Sequence, residues 1–276
     1  MRLVSIGADP ELFVTNNGTP SSAIGKLGGS KHEPRMIKGY GIQEDNVLAE
    51  FSMPPVMLIE HALPRVEFIR TMKQGIETVR AELKKSRLST TLHSSHSYNP
   101  RTLRKYGKAA LEFGCDPDMN AYTGLVNPAP DNRSTLRTAG GHVHVGYHMY
   151  QMDNEYARMV AKSMDLFLGV PSVLIDPDQR RREMYGKAGA YRLKSYGIEY
   201  RTLSNFWIHS DNLIGWVFDQ SRVAVEKAHT VNLLMELVGQ QAIQDCINTG
   251  DKALAEHIIQ TVQIQMPQEE QHAQAA

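Results

Sequence analysis

The sequence is short of cysteine, of net charge and of long apolar runs, and each shortage removes a class of protein. Cys115 and Cys246 are its only cysteines, too few for a disulfide framework or a cysteine-based zinc site. Neither stands in a C-x-x-C or G-x-C setting, and no Ser-His-Asp arrangement stands out. Lys and Arg number 30 against 30 Asp and Glu, which excludes nucleic-acid binding driven by bulk charge. No stretch approaches the ~20 consecutive apolar residues of a membrane helix, so no membrane partner is expected. The start, MRLVSIGADPE, reaches Asp9 too early for a secretory core, and the expectation is a reduced, cytoplasmic protein. A phosphate loop is also missing. GKLGGSK (25–31) is rich in Gly and Lys but lacks the G-x-x-x-x-G-K-[ST] spacing, which leaves a flap over a site or a plain surface loop.

What is present is a chain of 276 residues, 41% hydrophobic, with room for one large core. There is no internal repeat and no Gly-, Ser- or Pro-rich linker. One domain is expected over 1–265, followed by a disordered tail, 266–276. Strands are expected at Leu3–Ile6 and Leu12–Val14 around a GADP turn, and at Val47–Met53, stopped by Pro54 and Pro55. Val66, Ile69, Met72, Ile76, Val79 and Leu83 follow a 3.6 period, which predicts a helix over 64–88. Residues 94–140 read as irregular loop, a length that suits a segment covering a site. A strand is expected over 140–149 and helices over 153–169 (capped by Asp153 or Asn154), Asp211–Gly239 (capped by Asp211) and Asp251–Ile264. Tyr191–Leu203 reads as one or two strands. Strands and helices follow without regular βαβ alternation, so the fold class is α+β.

Several strands carry ionisable groups that cost stability unless something binds them. Side chains alternate along a strand, so Asp9, Glu11 and Phe13 share a face. Glu50 opposes Val47, Ala49 and Phe51. His142, His144 and His148 oppose Val143, Val145 and Tyr147. Glu199 and Arg201 oppose Ile198 and Tyr200. An isolated buried carboxylate costs several kcal/mol unless paired or metal-bound, so these strands suggest a metal-lined sheet interior. Carboxylates with an imidazole and no thiolate suit Mg²⁺ or Mn²⁺. The His142/His144 strand also admits a metal-dependent zinc hydrolase as the alternative. Arg180, Arg181 and Arg182 read as a solvated patch.

Four segments in this order carry a resemblance: GADPELFV, DNVLAEFSMPP (45–55), TAGGHVHVGY (138–147) and RREMYGKAGAYRLKSYGIEYRTLSNFW (181–207). Together they resemble the glutamine synthetase-like carboxylate–amine ligases, and most closely the phage-type COOH–NH2 ligase (amidoligase) family. The resemblance implies an antiparallel sheet curled into a funnel, with helices packed outside and two or more metal ions within. It implies one metal on Glu11 and Glu50, and another on Asp9, His142 and Glu199, Asp9 standing where glutamine synthetases have a glutamate. It places Arg201 on the transferring γ-phosphate, Arg192, Lys194 and His144 on ATP, and Arg201 and Glu50 among the catalytic residues. The implied activity is ATP-dependent amide formation through an acyl phosphate, with Mg²⁺ or Mn²⁺. The implied partners are small-molecule or peptide carboxylates and amines, in the host cytoplasm if phage-encoded, and a homo-oligomer is compatible with the family.

Overall fold

A computed structural model describes residues 3–112, 118–129, 131, 134–148 and 154–268. Cys115, Met149, Asp153 and most of the tail therefore lie outside the described residues. The strands are β1 (Leu3–Asn16), β2 (Thr19–Pro20), β3 (Arg35–Ile37), β4 (Tyr40–Asp45), β5 (Leu48–Ser52), β6 (Val56–Met57), β7 (Ser89–Thr91), β8 (Ser95–Ser97), β9 (Met119–Asn120), β10 (Leu136–Thr138), β11 (Gly141–Tyr147), β12 (Ala190–Lys194) and β13 (Gly197–Tyr200). The α-helices are α1 (Pro64–Lys84), α2 (Pro100–Lys105), α3 (Asn154–Met164), α4 (Val170–Ile175), α5 (Arg181–Met184), α6 (Asp211–Lys227), α7 (Val231–Val238), α8 (Gln240–Thr249) and α9 (Lys252–Val262). This is the α+β class expected.

The main sheet is antiparallel and open, in the order β3-β4-β5-β1-β11-β13-β12-β9, with β2, β6 and β7 also paired to β1. β1 does not turn at GADP. It runs through as one strand because it changes partners there: Leu3 to Pro10 pair with β11, and Glu11 and Leu12 with β5. Pro10 has no N–H to give, and it sits where the β11 ladder ends.

One cluster of buried apolar side chains reaches from Leu3 to Ile264 and fills the space between the sheet and α1, α3 and α6. Val143, Val145, Ile198 and Tyr200 face into it, which turns the His142 and Glu199 side chains to the opposite face. On the helix side the Phe68 ring of α1 stacks on Trp207 at 6.2 Å between centroids. α1 begins at Pro64 as expected but ends at Lys84, and Val66 is exposed.

Other expectations are corrected. The 94–140 segment contains α2, β9 and a small two-stranded sheet, β8 with β10. α3 continues through a π-helical turn, Asp165–Gly169, into α4, because Pro171 lacks the N–H and crowds the preceding turn. The long helix over Asp211–Gly239 breaks at a 3₁₀ turn, Ala228–Thr230, before α7, and α8 lies beyond it. Its cap is Ser210, whose hydroxyl accepts from the Leu213 N–H at 3.3 Å. Asp211 is instead in a surface ion pair with Lys73. Ser210→Ala should thus lower stability by about 1 kcal/mol, a Tm drop of roughly 2–4 °C. Asp211→Ala should change it by well under half of that, and thermal melts of the two variants check the assignment.

Candidate active site

Cross-strand register brings the acids and histidines together. Asp9 lies opposite His142, His144 opposite Glu199, and Glu11 opposite Glu50. All point to the sheet face away from the helices. One cavity of about 450 Å³ is lined by Gln43 and Glu50 on β4 and β5, and also by Arg192 and Lys194 on β12. Those strands are up to five positions apart in the sheet, roughly 24 Å if it were flat. Their sharing one cavity shows that the sheet curls around it.

Two ligand groups result, each with its donor atoms within 4.8 Å of one another: Asp9, His142 and Glu199, and beside them Glu11, Asp45 and Glu50. The first is rich in cations. The His142 Nδ1 is 3.2 Å from Asp9, and the His144 Nε2 is 3.1 Å from the other Asp9 oxygen. Glu199 is bonded by Arg201, by Lys194 at 2.7 Å and by Arg192 at 3.4 Å. Burial and the Asp9 charge push the Glu199 carboxyl up, but Arg201, His142 and His144 outweigh them and hold it down at about 2. Burial likewise raises Asp9, and the charge of His144 with hydrogen bonds from both histidines takes it well below the usual range. Burial, then the Arg201 charge, lowers His142 to about 4, so its imidazole is neutral and able to ligate.

In the second group no cation is bonded to a carboxylate among the described residues, and Arg181, Arg201 and Lys31 act only at a distance. Burial and then the Asp45 charge raise Glu11 to about 8. Burial, reinforced by Asp9, Asp45 and Glu11, lifts Glu50 well above the carboxylate range. Asp45 is raised too, chiefly by burial. Hydrogen bonds fix the carboxylates: the Gly140 N–H donates to Glu11 at 2.6 Å and the Gln43 amide to Glu50 at 2.5 Å. Three crowded carboxylates that resist ionising together, two of them fixed by hydrogen bonds, fit a hard divalent cation, which would replace their protons.

Gly140 is required by space. A Cβ there would run into the His142 imidazole, which Asp9 and Arg181 already confine. Gly140→Ala should displace the ring and reduce turnover by about 10²-fold, with the Tm of the variant reporting separately on folding.

Asp45 and Arg181 belong to the site without having been singled out from sequence. Of the three arginines only Arg180 is solvated. Arg181 is 4% exposed, donates to the Arg201 and Thr202 carbonyls at 3.2 Å and lies 3.2 Å from His142 Nε2. With Arg137, Tyr185 and Arg201 it walls a small recess beside Glu11 and Asp45. Lys31 also borders the main cavity. It ends the GKLGGSK loop, whose Gly25 to Gly28 backbone N–H groups all donate to the Glu44 carboxylate at 2.7–3.1 Å. His148 is exposed beyond β11. Burial pushes the Cys246 thiol up to about 12, which leaves it inert.

An open antiparallel sheet backed by helices, with two carboxylate-rich ligand groups and arginines on its inner face, defines a candidate metal-dependent group-transfer enzyme. Residues 133–276, slightly more than half of the chain, match the family described as phage phiEco32-like COOH.NH2 ligase-type 2, and the chain belongs to that family. It is thus a carboxylate–amine ligase, an enzyme that forms carbon–nitrogen bonds. The β1, β4 and β5 ligands precede the matched stretch and meet it through the sheet. Among solved structures, one described as a novel glutamine synthase homolog is similar over 94% of this chain and 67% of its own, at 12% identity and a TM-score of 0.37. No curated protein matches the chain. No helix among the described residues is long and apolar enough to cross a membrane.

Proposed function

We propose that the enzyme uses ATP and divalent metal, Mg²⁺ or Mn²⁺, to activate a carboxylate as an acyl phosphate that an amine then attacks. The observation that carries this reading is the pair of adjoining ligand groups facing a cluster of cations, Arg201 buried and Arg192 and Lys194 partly so. Glu11, Asp45 and Glu50 would hold one ion, and Asp9, His142 and Glu199 another. Such ions neutralise phosphate charge and align the reacting oxygens. Glu50 enters catalysis as one of these ligands.

Arg192, Lys194 and His144 take the nucleotide phosphates. Next to His144 a largely apolar slot of about 550 Å³, bordered by Val4, Pro55, Met57, Tyr147 and Tyr196, receives the nucleoside. The recess of Arg137, Arg181 and Arg201 receives the substrate carboxylate. A carboxylate oxygen bonds to the γ-phosphorus as the bond to ADP breaks, and Arg201 meets the charge on the transferring group. The amine nitrogen then bonds to the acyl carbon, phosphate leaves with the electron pair, and the amine gives up a proton. Small-molecule or peptide acids and amines suit a cavity of this size, and dependence on ATP suits a cytoplasmic enzyme, in the host if phage-encoded. Residues 1–265 form the catalytic domain in this reading.

The zinc-hydrolase alternative has less support, because His144 joins neither ligand group among the described residues and is held by Asp9 and Tyr196. Hydroxylamine, a small strong nucleophile, tests the proposal. With ATP, Mg²⁺ and a panel of carboxylic acids, hydroxamate and ADP should form in equal amounts. Hydroxamate without ADP would overturn the acyl-phosphate route.

A further inference from the structure

A second cleft among the described residues lies apart from the ligase site. It has a volume of about 1000 Å³ and shares no lining residue with the ligand groups or their recess. Its walls are the loop after β7, the 177–180 turn with α5, and the C-terminal end of α8. α5 separates the two sites: Arg181 turns to His142, and Arg182, the next residue, lines the cleft.

The balance of satisfied and unsatisfied charge gives the cleft its character. Arg182 is 6% exposed, donates from Nη2 to the Ser172 hydroxyl at 2.8 Å, and has no hydrogen-bond partner at Nε or Nη1 among the described residues. Lys187, half-buried on the same wall, has no hydrogen-bond or ion-pair partner for its ammonium among the described residues; burial and then the Arg182 charge hold its pKa down. Two cations are thus held near one another with no bonded counter-ion. The nearby acids are already engaged. Asp176 accepts from Ser204 at 2.7 Å and from the Asp178 N–H at 2.9 Å. Asp178 accepts from Ser95 and from Arg180. Glu183 also borders the cleft and is exposed to solvent. Asp176 acts on Arg182, and Glu183 on Lys187, only at a distance, and burial outweighs both, a cost that a bonded oxyanion would recover.

We infer that this cleft is a second binding site, separate from the ligase centre, for an oxyanion-bearing small molecule, its phosphate or carboxylate group seated on Lys187 and Arg182. The volume admits a ligand of nucleotide or short-peptide size. The inference rests on the cleft alone and stands or falls independently of the ATP-dependent mechanism.

Calorimetric titration of the full chain tests it, with pyrophosphate and, separately, the dipeptide Glu-Glu. EDTA is present throughout, so that no metal carries either probe to the ligase site. One probe should bind at one molecule per chain. Tighter binding of pyrophosphate assigns the phosphate class, and tighter binding of the dipeptide the carboxylate class. Lys187→Ala, at a half-buried position that tolerates truncation, should weaken binding at least tenfold with an unchanged Tm, and Arg182→Gln should weaken it similarly where it folds. Arg192→Ala, in the ligase site, should leave binding intact. Absence of binding by both probes to the wild type would overturn the inference. So would binding kept in Lys187→Ala and lost in Arg192→Ala, which would put the anion in the ligase site.

Discussion

Glu50→Gln should make the metal-free enzyme more stable at pH 8 and catalytically dead. Glu50 is 8% exposed and packed against Glu11 and Asp45, and burial with three neighbouring acids lifts its carboxyl well above the usual range. Below the ordinary carboxylate range both folded and unfolded chains hold the proton, and there is no penalty. As pH rises the unfolded chain ionises first, so the folded state loses stability until its own raised pKa is passed. Glutamine keeps an acceptor for the Gln43 amide and removes that penalty. In EDTA the variant should therefore melt higher than the wild type at pH 8 and no higher at pH 4. In saturating Mn²⁺ the order should invert, because only the wild type gains binding free energy from the ion. A variant less stable than wild type in EDTA at pH 8 would contradict the crowded-acid description.

Arg201 is expected to give the largest kinetic effect. Its guanidinium bonds Glu199, lies 3.4 Å from His142 Nδ1, and reaches Asp118 at 3.5 Å through Nε. Arg201→Ala would also break a buried ion pair, at a cost of about 3–5 kcal/mol, and confuse folding with catalysis. Arg201→Lys keeps the charge but loses the planar fork, and Lys194 still holds Glu199. Turnover should fall by about 10³-fold, with the KM for ATP changed only several-fold, since the lost contact is to charge that develops during transfer. Steady-state kinetics separates the two parameters, and a raised KM with unchanged kcat would assign Arg201 to ground-state binding instead.

Much of the ligand set is readable in the sequence because strand periodicity alone assigns faces. Asp9, Glu11, His142 and Glu199 each alternate with apolar residues that need the core, so their direction is fixed before their partners are known. Asp45 escapes that logic. It ends β4 just before Asn46, a turn residue with positive φ, and the alternating pattern of β5 starts only after it. Arg181 escapes for the opposite reason, since a run of three arginines reads as a wet surface. Its burial comes from α5 packing on α8 and on the segment that follows β13, contacts that no local pattern encodes. The GADP turn failed similarly, because a change of strand partners is a tertiary event. The break after Lys227 carries neither Pro nor Gly to announce it.

Electron paramagnetic resonance of Mn²⁺ titrated into metal-free enzyme, with and without a non-hydrolysable ATP analogue, tests the two-ion site most directly. Among the described residues no cation is bonded to Glu11, Asp45 or Glu50, whereas Glu199 is already held by Arg201, Lys194 and Arg192. One ion should therefore bind tightly without nucleotide, and a second only with the analogue, whose phosphates draw those cations away from Glu199. Nucleotide-independent binding of a single ion, unaffected by Glu50→Gln and preferring Zn²⁺, would contradict the ligase site and favour the hydrolase.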